Sequence, residues 1–299
     1  MSRQVQGYLY LALAMLTVGS TVVSSKLIAS GLPPFSATAL RFAIAFPIFL
    51  VLMRATGARL PKLSGKDRLI LVIQAGAGSV GYTTLLISGL SLTSAADAGV
   101  IIGTLPVVSA AISILLLGER PQRGLLLAVA LATAGVLSIA ATPEAAGGSL
   151  AGNALIFLAV VCEGVFILLN KKLKTEIAPL AQSALMTGIG FIVAVIPAVF
   201  EAPLAEGMSG SAVAAVVYYA LVPTVGGFLL WYAGAERVSG TEAALFTALA
   251  PVSAVMLAFI ILGEPVGLGQ IAGIACVLAA VLGLAFAGSR VAVKRVEGR

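Results

Sequence analysis

Residues 94–124 return 145 positions later as residues 239–269: Ser94 falls on Ser239, Asp97 on Glu242, Ala98 on Ala243, Pro106 on Pro251, Gly118-Glu119 on Gly263-Glu264 and Gly124 on Gly269. Each copy reads as a long apolar helix interrupted by proline near its middle, then a Gly-Glu corner that opens a second apolar helix. The same shift lays Gly7 on Gly152, Ala14 on Ala159, Gly19 on Gly164, Lys26 on Lys171 and Pro34 on Pro179. The chain is one unit written twice. Its first apolar stretch therefore reads as a permanent helix and not as a cleaved leader, which would have no internal twin.

Composition decides the solvent. Hydrophobic residues make up 60% of the chain and charged residues 10%, with a mean hydropathy of +1.11, against roughly 25% charged in a soluble protein. Several apolar runs reach the ~20 residues that cross a bilayer. The expectation is an all-α polytopic membrane protein with ten spans, at about 7–29, 34–53, 68–90, 95–117, 122–141, 150–170, 178–200, 210–233, 240–262 and 266–287. Residues 1–141 form the first five-helix repeat, 142–149 a linker, and 150–299 the second repeat with a short basic tail.

The basic residues set the orientation. With both termini in the cytoplasm, 16 of the 18 Lys and Arg fall in inner loops and tails, and only Lys26 and Arg41 do not. The outer loops at 142–149 and 201–209 carry Glu144, Glu201 and Glu206 but no Lys or Arg. Five spans is an odd number, so the second repeat enters the bilayer from the opposite face. Inverted repeats of this kind build secondary transporters, whose halves exchange conformations around a site near the midplane.

The basic excess, 18 against 12 acidic, lacks the interleaved aromatics of a nucleic-acid surface. Cys162 and Cys276 lie inside apolar runs, and histidine is absent, which removes the commonest metal ligand and proton shuttle. No cofactor and no metal site is expected. An intramembrane enzyme is disfavoured, because no Ser/His dyad, Gly-x-Gly-Asp string or metal-ligand cluster occurs. No Walker A string occurs either, so ATP hydrolysis is not expected.

Candidate functional residues follow from depth and pattern. Gly76-Ala77-Gly78-Ser79-Val80-Gly81 matches a dinucleotide fingerprint, but that motif needs a preceding strand, and these glycines sit inside a span. Pro223-Thr224-Val225-Gly226-Gly227 occupies the matching place in the other half. With Pro106 and Pro251, Gly76, Gly78, Gly81, Pro223, Gly226 and Gly227 are candidate hinge or gate positions, plain helix packing being the competing reading. Glu163 lies about 20 Å along the sixth span from its outer end at 1.5 Å per residue. A carboxyl at that depth is a functional candidate, a protonated Glu bonded to a neighbouring carbonyl being the alternative. Asn170 shares its face.

Ser20 and Ser24, with Thr17 and Thr21, make a polar stripe on the first span; Ser79, Tyr82 and Trp231 complete the expected cavity wall. Tyr232 is read as interfacial. Lys26 and Arg41 are expected to snorkel outwards. Ser94-x-x-Asp97 and Ser239-x-x-Glu242 fit capping-box spacing, with proton coupling the competing role. Gly99-x-x-x-Gly103 and Gly269-x-x-x-Gly273 permit close helix contact within one chain or between two, and a monomer is the favoured reading.

The paired five-span repeats and the corners Leu117-Gly118-Glu119-Arg120-Pro121 and Leu262-Gly263-Glu264-Pro265 resemble the drug/metabolite transporter superfamily, EamA type. Within it, the chain is similar to the bacterial amino-acid exporters, the aromatic amino-acid branch among them. The resemblance implies a cavity lined mainly by the first, third, fourth, sixth, eighth and ninth helices, with the fifth and tenth at the periphery. It implies export of small metabolites, amino acids above all, across a bacterial inner membrane. Efflux of drugs or quaternary amines is the rival reading, which Glu163 keeps open; a channel or an enzyme is more remote.

Overall fold

Apolar helices with polar residues at neither face find their solvent in lipid, and in lipid every backbone group must be bonded within its own segment. The computed structural model describes residues 3–117, 123–140, 149–201, 209–238, 243 and 246–297, and among these no strand occurs. Six helices are long and apolar enough to cross a membrane: α1 (Arg3–Ala29), α2 (Pro34–Thr56), α3 (Gly65–Leu90), α7 (Leu150–Lys172), α8 (Pro179–Ala198) and α9 (Gly210–Ala235). A seventh candidate is a pair bent by 44°, α4 (Ala95–Ile102) and α5 (Leu105–Leu117). The shorter apolar helices lie within α6 (Arg123–Ala140), α10 (Leu249–Leu262) and α11 (Leu268–Glu297). This is a multi-pass membrane protein.

The 145-residue shift is written into the helix boundaries. It carries α3, Gly65–Leu90, onto α9, Gly210–Ala235, residue for residue. Ser64 and Ser209, related by the same shift, cap these two helices by accepting from Asp67 N and Ala212 N. Proline opens both α2 and α8, where its fixed φ suits the first turn and its missing N–H costs nothing.

Packing is reciprocal as well. α1 lies against α9 and α10, while α7, its counterpart, lies against α3 and α5; α2 pairs with α8, and α6 with α11. Small residues permit these approaches: a Cβ on Gly234 would meet Leu11, and one on Gly89 would meet Ile156. Gly99 and Gly103 are filled by Ala254, Val255, Pro251 and Val277 of the same chain. Their close contact is therefore within one chain. α1 is the more interior of the twins, 61% of its apolar window being buried against 33% for α7.

Carboxylates tie helix ends together. Glu264, in the corner after α10, accepts from Ala95 N and Ala96 N, both at 3.0 Å, at the start of α4. Glu201 accepts from Phe35 N at 3.0 Å and Ser36 N at 2.7 Å at the start of α2. Asp67 takes Lys174 N at 3.2 Å and the Thr175 hydroxyl at 2.7 Å in the turn before α8. Free N–H groups at helix starts carry partial positive charge, so a carboxylate is their strongest partner. Gly263, in that same corner, has φ +66°, a left-handed conformation that glycine adopts without strain.

Candidate functional site

Two helices that should be regular are instead widened at matching places. Ala75–Gly81 in α3 and Ala220–Gly226 in α9 are π-helical, and each ends on a five-residue bond, Tyr82 N to Ala77 O and Gly227 N to Val222 O. All of these positions are related by 145. The helices are therefore dilated, not broken, at the expected glycine and proline runs. Pro223 supplies no N–H, and Thr224 Oγ1 donates to the Tyr219 carbonyl at 2.8 Å. In α3 the expansion is carried by glycines, Gly76 facing open space. The second matched feature is the turn at Gly103-Thr104 between α4 and α5 and the turn at Thr247-Ala248 before α10, just ahead of Pro106 and Pro251.

These irregular segments surround a cavity of about 780 Å³. Of the expected wall residues, Ser79, Tyr82, Glu163, Asn170 and Trp231 line it, as do Pro106, Pro223, Gly227 and Pro251 among the candidate hinges. Gly78 acts one step back: a Cβ there would stand 2.4 Å from Phe166 Cβ, so its bareness lets α3 seat against α7 beside Glu163. Gly81 comes near Cys162. A Cβ on Gly76 would meet nothing within 4 Å, and one on Gly226 only Leu221 O of its own helix.

Ser20 and Ser24 are not on the wall. Their hydroxyls turn back to the α1 carbonyls of Thr17 and Ser20, both at 2.7 Å, and Ser20 also accepts from the Tyr218 hydroxyl at 2.9 Å. Thr21 faces the cavity in their place. Ser94 caps α4 by accepting from Asp97 N at 3.0 Å, but the Asp97 carboxylate takes the Gln270 amide at 2.7 Å. The next two free N–H groups, of Ala95 and Ala96, are taken by Glu264 instead. Ser239 and Glu242, like the corner at 118–121, lie outside the described residues.

Two expectations need correction. Arg41 does not snorkel outwards: it is 8% exposed, lines the cavity, and its guanidinium stacks on Phe42 at 4.3 Å and Tyr219 at 4.5 Å. Two aromatic faces hold the cation where the bilayer would otherwise drive it to the headgroups. The Lys26 ammonium donates to Leu90 O at 2.8 Å and Thr93 O at 2.6 Å, at the end of α3. Tyr232 lines the cavity, its ring 4.5 Å from that of Phe228. α2 and α8 also join the wall, through Arg41, Phe42 and Phe49 and through Gln182, Ser183 and Met186, while among the described residues none of α6 or α11 does.

The wall is mostly aromatic and aliphatic, and its formal charges are Arg41 and Glu163. The two interact electrostatically, but among the described residues no ion pair joins them. Arg41 Nε and Ser109 Oγ are buried without a hydrogen-bond partner. Asn170 accepts from the Gln182 amide at the exposed end of the cavity. Arg41 and Phe166 were missed as wall residues. The one available signal for Arg41 was its standing outside the inner-loop set of cations.

Comparison with known proteins bears on what such a cavity serves. The model of the EamA-like transporter family matches the chain twice, over residues 5–141 and 150–286. The uncharacterized transporter YetK of Bacillus subtilis (strain 168) is 34% identical over 285 residues, 93% of this chain and 86% of that protein. A probable terminal-alkyne amino-acid exporter of Streptantibioticus cattleyicolor is 29% identical over 217 residues, 70% of this chain and 69% of that protein. A crystal structure with 21% identity superposes with a TM-score of 0.62, covering 97% of this chain and 98% of its own, a likeness in fold.

Proposed function

The chain belongs to the EamA-like transporter family, and from that premise we propose that it is a secondary transporter exporting amino acids of broad specificity by alternating access. The observation that carries this is the cavity of about 780 Å³ walled by matched π segments and matched proline turns of both halves. A volume in that range fits a small metabolite. Helices irregular at equivalent places are where such transporters put their site.

On this reading the six long helices, the bent pair and the three shorter ones are ten spans, organised as two inverted five-helix units at 1–141 and 150–299. The reciprocal packing of α1 with α9 and α10, and of α7 with α3 and α5, supports the inversion. Both termini lie in the cytoplasm, following the basic loops, and the membrane is the bacterial inner membrane. The cavity reaches Asn170, Pro179 and Gln182 at the α7–α8 turn, which the basic residues assign to the inside. Towards the other end the wall carries Arg41, buried between Phe42 and Tyr219. This is an inward-facing state.

The amino-acid substrate is supported by the exporter from Streptantibioticus and by a wall whose charges sum to zero. Efflux of cationic drugs draws on Glu163 and the aromatics, but a buried Arg41 in the same cavity repels a cation. Counterflow in liposomes tests the proposal: protein preloaded with unlabelled amino acids, uptake of labelled threonine, methionine or tryptophan, with and without a pH gradient. Saturable uptake supports export, and indifference to the gradient makes it facilitative. Absence of amino-acid uptake, with uptake of a labelled quaternary amine, overturns it in favour of efflux.

A further inference from the structure

We infer that Arg41 and Glu163 form a split clamp for a zwitterion, Arg41 taking the α-carboxylate and Glu163 the α-ammonium, with the side chain laid on the aromatic wall. The inference rests on the amino-acid reading above and assigns its polar contacts. Opposite charges buried in one apolar cavity normally close on each other, because an isolated ion in a low-dielectric site is costly. Here they do not. Stacking on Phe42 and Tyr219 holds the guanidinium on α2, and Glu163 stands on α7, three residues before the Phe166 against which Gly78 of α3 is closely seated. The pair is thereby kept apart yet electrostatically coupled.

What is missing is a dipole between them. Arg41 Nε is buried, 8% of the residue being exposed, and has no acceptor; Ser109 Oγ, on the same wall, is likewise unpartnered. A carboxylate would supply the acceptor and an ammonium would neutralise Glu163. An amine alone would leave Arg41 unpaired beside it, and an acid alone would leave Glu163 unpaired. The clamp thus rejects both single-charge relatives of an amino acid by the cost of a buried unmatched ion, a stronger filter than added attraction. Tyr82, Phe166, Phe228 and Trp231 are left to the substrate's apolar part.

The test is competition against counterflow of labelled phenylalanine in proteoliposomes, using phenylalanine, phenethylamine and 3-phenylpropionate. Wild type should prefer the zwitterion over either relative by roughly 10- to 100-fold, the range of a lost charged hydrogen bond. Arg41→Gln should lower phenylalanine affinity by a similar factor and raise that for phenethylamine, whose binding no longer leaves a buried cation unmatched. Glu163→Gln should lower phenylalanine affinity likewise and raise that for 3-phenylpropionate. Arg41→Lys, which keeps the charge, should retain part of the preference and guards against a folding defect in Arg41→Gln. Phenylalanine transport with no preference over its relatives, or an unchanged ranking in both neutral variants, overturns the clamp while leaving amino-acid export standing. Absence of counterflow of any amino acid by wild type overturns both.

Discussion

Gly19 and Gly164 are twins by sequence, yet they should not tolerate a methyl group equally. Gly19, on α1, faces α10. A Cβ there would stand 1.9 Å from Ser253 Oγ, 2.7 Å from Ala254 N and 2.9 Å from Ala250 O. Two of the three obstacles are backbone atoms, so no change of rotamer relieves them. The helices must part by roughly 0.5–1 Å to restore ordinary contact, which puts Gly19→Ala at about 3 kcal/mol, the upper part of the overpacking range. Parting also weakens the Ser253 hydroxyl's bond to Met15 O, now 3.1 Å.

Gly164, on α7, faces α5. Its Cβ would meet Ile112 Cδ1 at 2.7 Å and then nothing nearer than Ser109 at 3.6 Å. The one obstacle is the far end of a flexible side chain. Rotation of Ile112 costs under about 1 kcal/mol, and alanine returns about as much through helix propensity. Gly164→Ala should be nearly neutral. A difference of ~3 kcal/mol between the variants corresponds to a gap of ~6–12 °C in melting temperature. Thermal unfolding in detergent, followed with a thiol-reactive dye at the free Cys162 and Cys276, reads it directly. Equal losses in both variants, or a larger loss in Gly164→Ala, would refute the reasoning. Adding Ser253→Ala to Gly19→Ala removes only the 1.9 Å contact, so full rescue would show that a side chain, not the backbone, sets the approach.

Other outcomes are expected from the same geometry. Glu264→Ala strips the acceptor from two N–H groups on fully buried residues, Ala95 and Ala96; it should cost about 2–6 kcal/mol, and Glu264→Gln roughly half of that, measured by the same melting assay. Trp231→Ala removes one aromatic face of the cavity and should weaken apparent affinity for tryptophan in counterflow by about 2- to 10-fold, with stability little changed. Gly76→Ala meets no atom within 4 Å, so it should raise stability by about 0.5–1 kcal/mol through helix propensity. If the π segment flexes during transport, turnover should fall in the same variant while half-saturation holds, as seen by initial rates across substrate concentrations.

Much of the fold was legible because its determinants are local or repeated. Span positions follow from apolar runs, and the 145-residue repeat shows the halves to be twins, though the bounds 68–90 and 210–233 read from the runs miss the residue-for-residue match of α3 with α9. The π segments were foreseen only as weak points. A glycine run says that regular helix is unfavourable but not whether the chain breaks or widens, and the five-residue bonds at Ala77 and Val222 decide that. Arg41 was misread for a non-local reason. Its distance from the helix end admits an outward snorkel, and the rings that hold it inside come from Phe42 beside it and Tyr219 far along the chain. Ser20 and Ser24 failed differently: periodicity gave their stripe correctly, but a hydroxyl on a helix satisfies itself on the preceding turn and needs no cavity.

The two halves are built to one plan but stiffened unequally. In α9 the π segment is fixed chemically, since Pro223 has no N–H for the regular bond and the Thr224 hydroxyl also donates to the Tyr219 carbonyl. Tyr219 in turn carries one face of Arg41, so the widened turn and the buried cation are a single assembly. In α3 hydroxyls also take the widened turn's carbonyls, Thr83 Oγ1 donating to Ser79 O at 2.8 Å and Thr84 Oγ1 to Val80 O at 2.9 Å, but no proline fixes the backbone and Gly76 faces open space. A glycine segment has many backbone states of similar energy, a proline segment few. Any exchange of shapes between the repeats is therefore easier at Ala75–Gly81 than at Ala220–Gly226. Ser79 and Tyr82, on the cavity wall, lie within and directly after that glycine segment, while Arg41 of the first half is stacked on Tyr219 of the second.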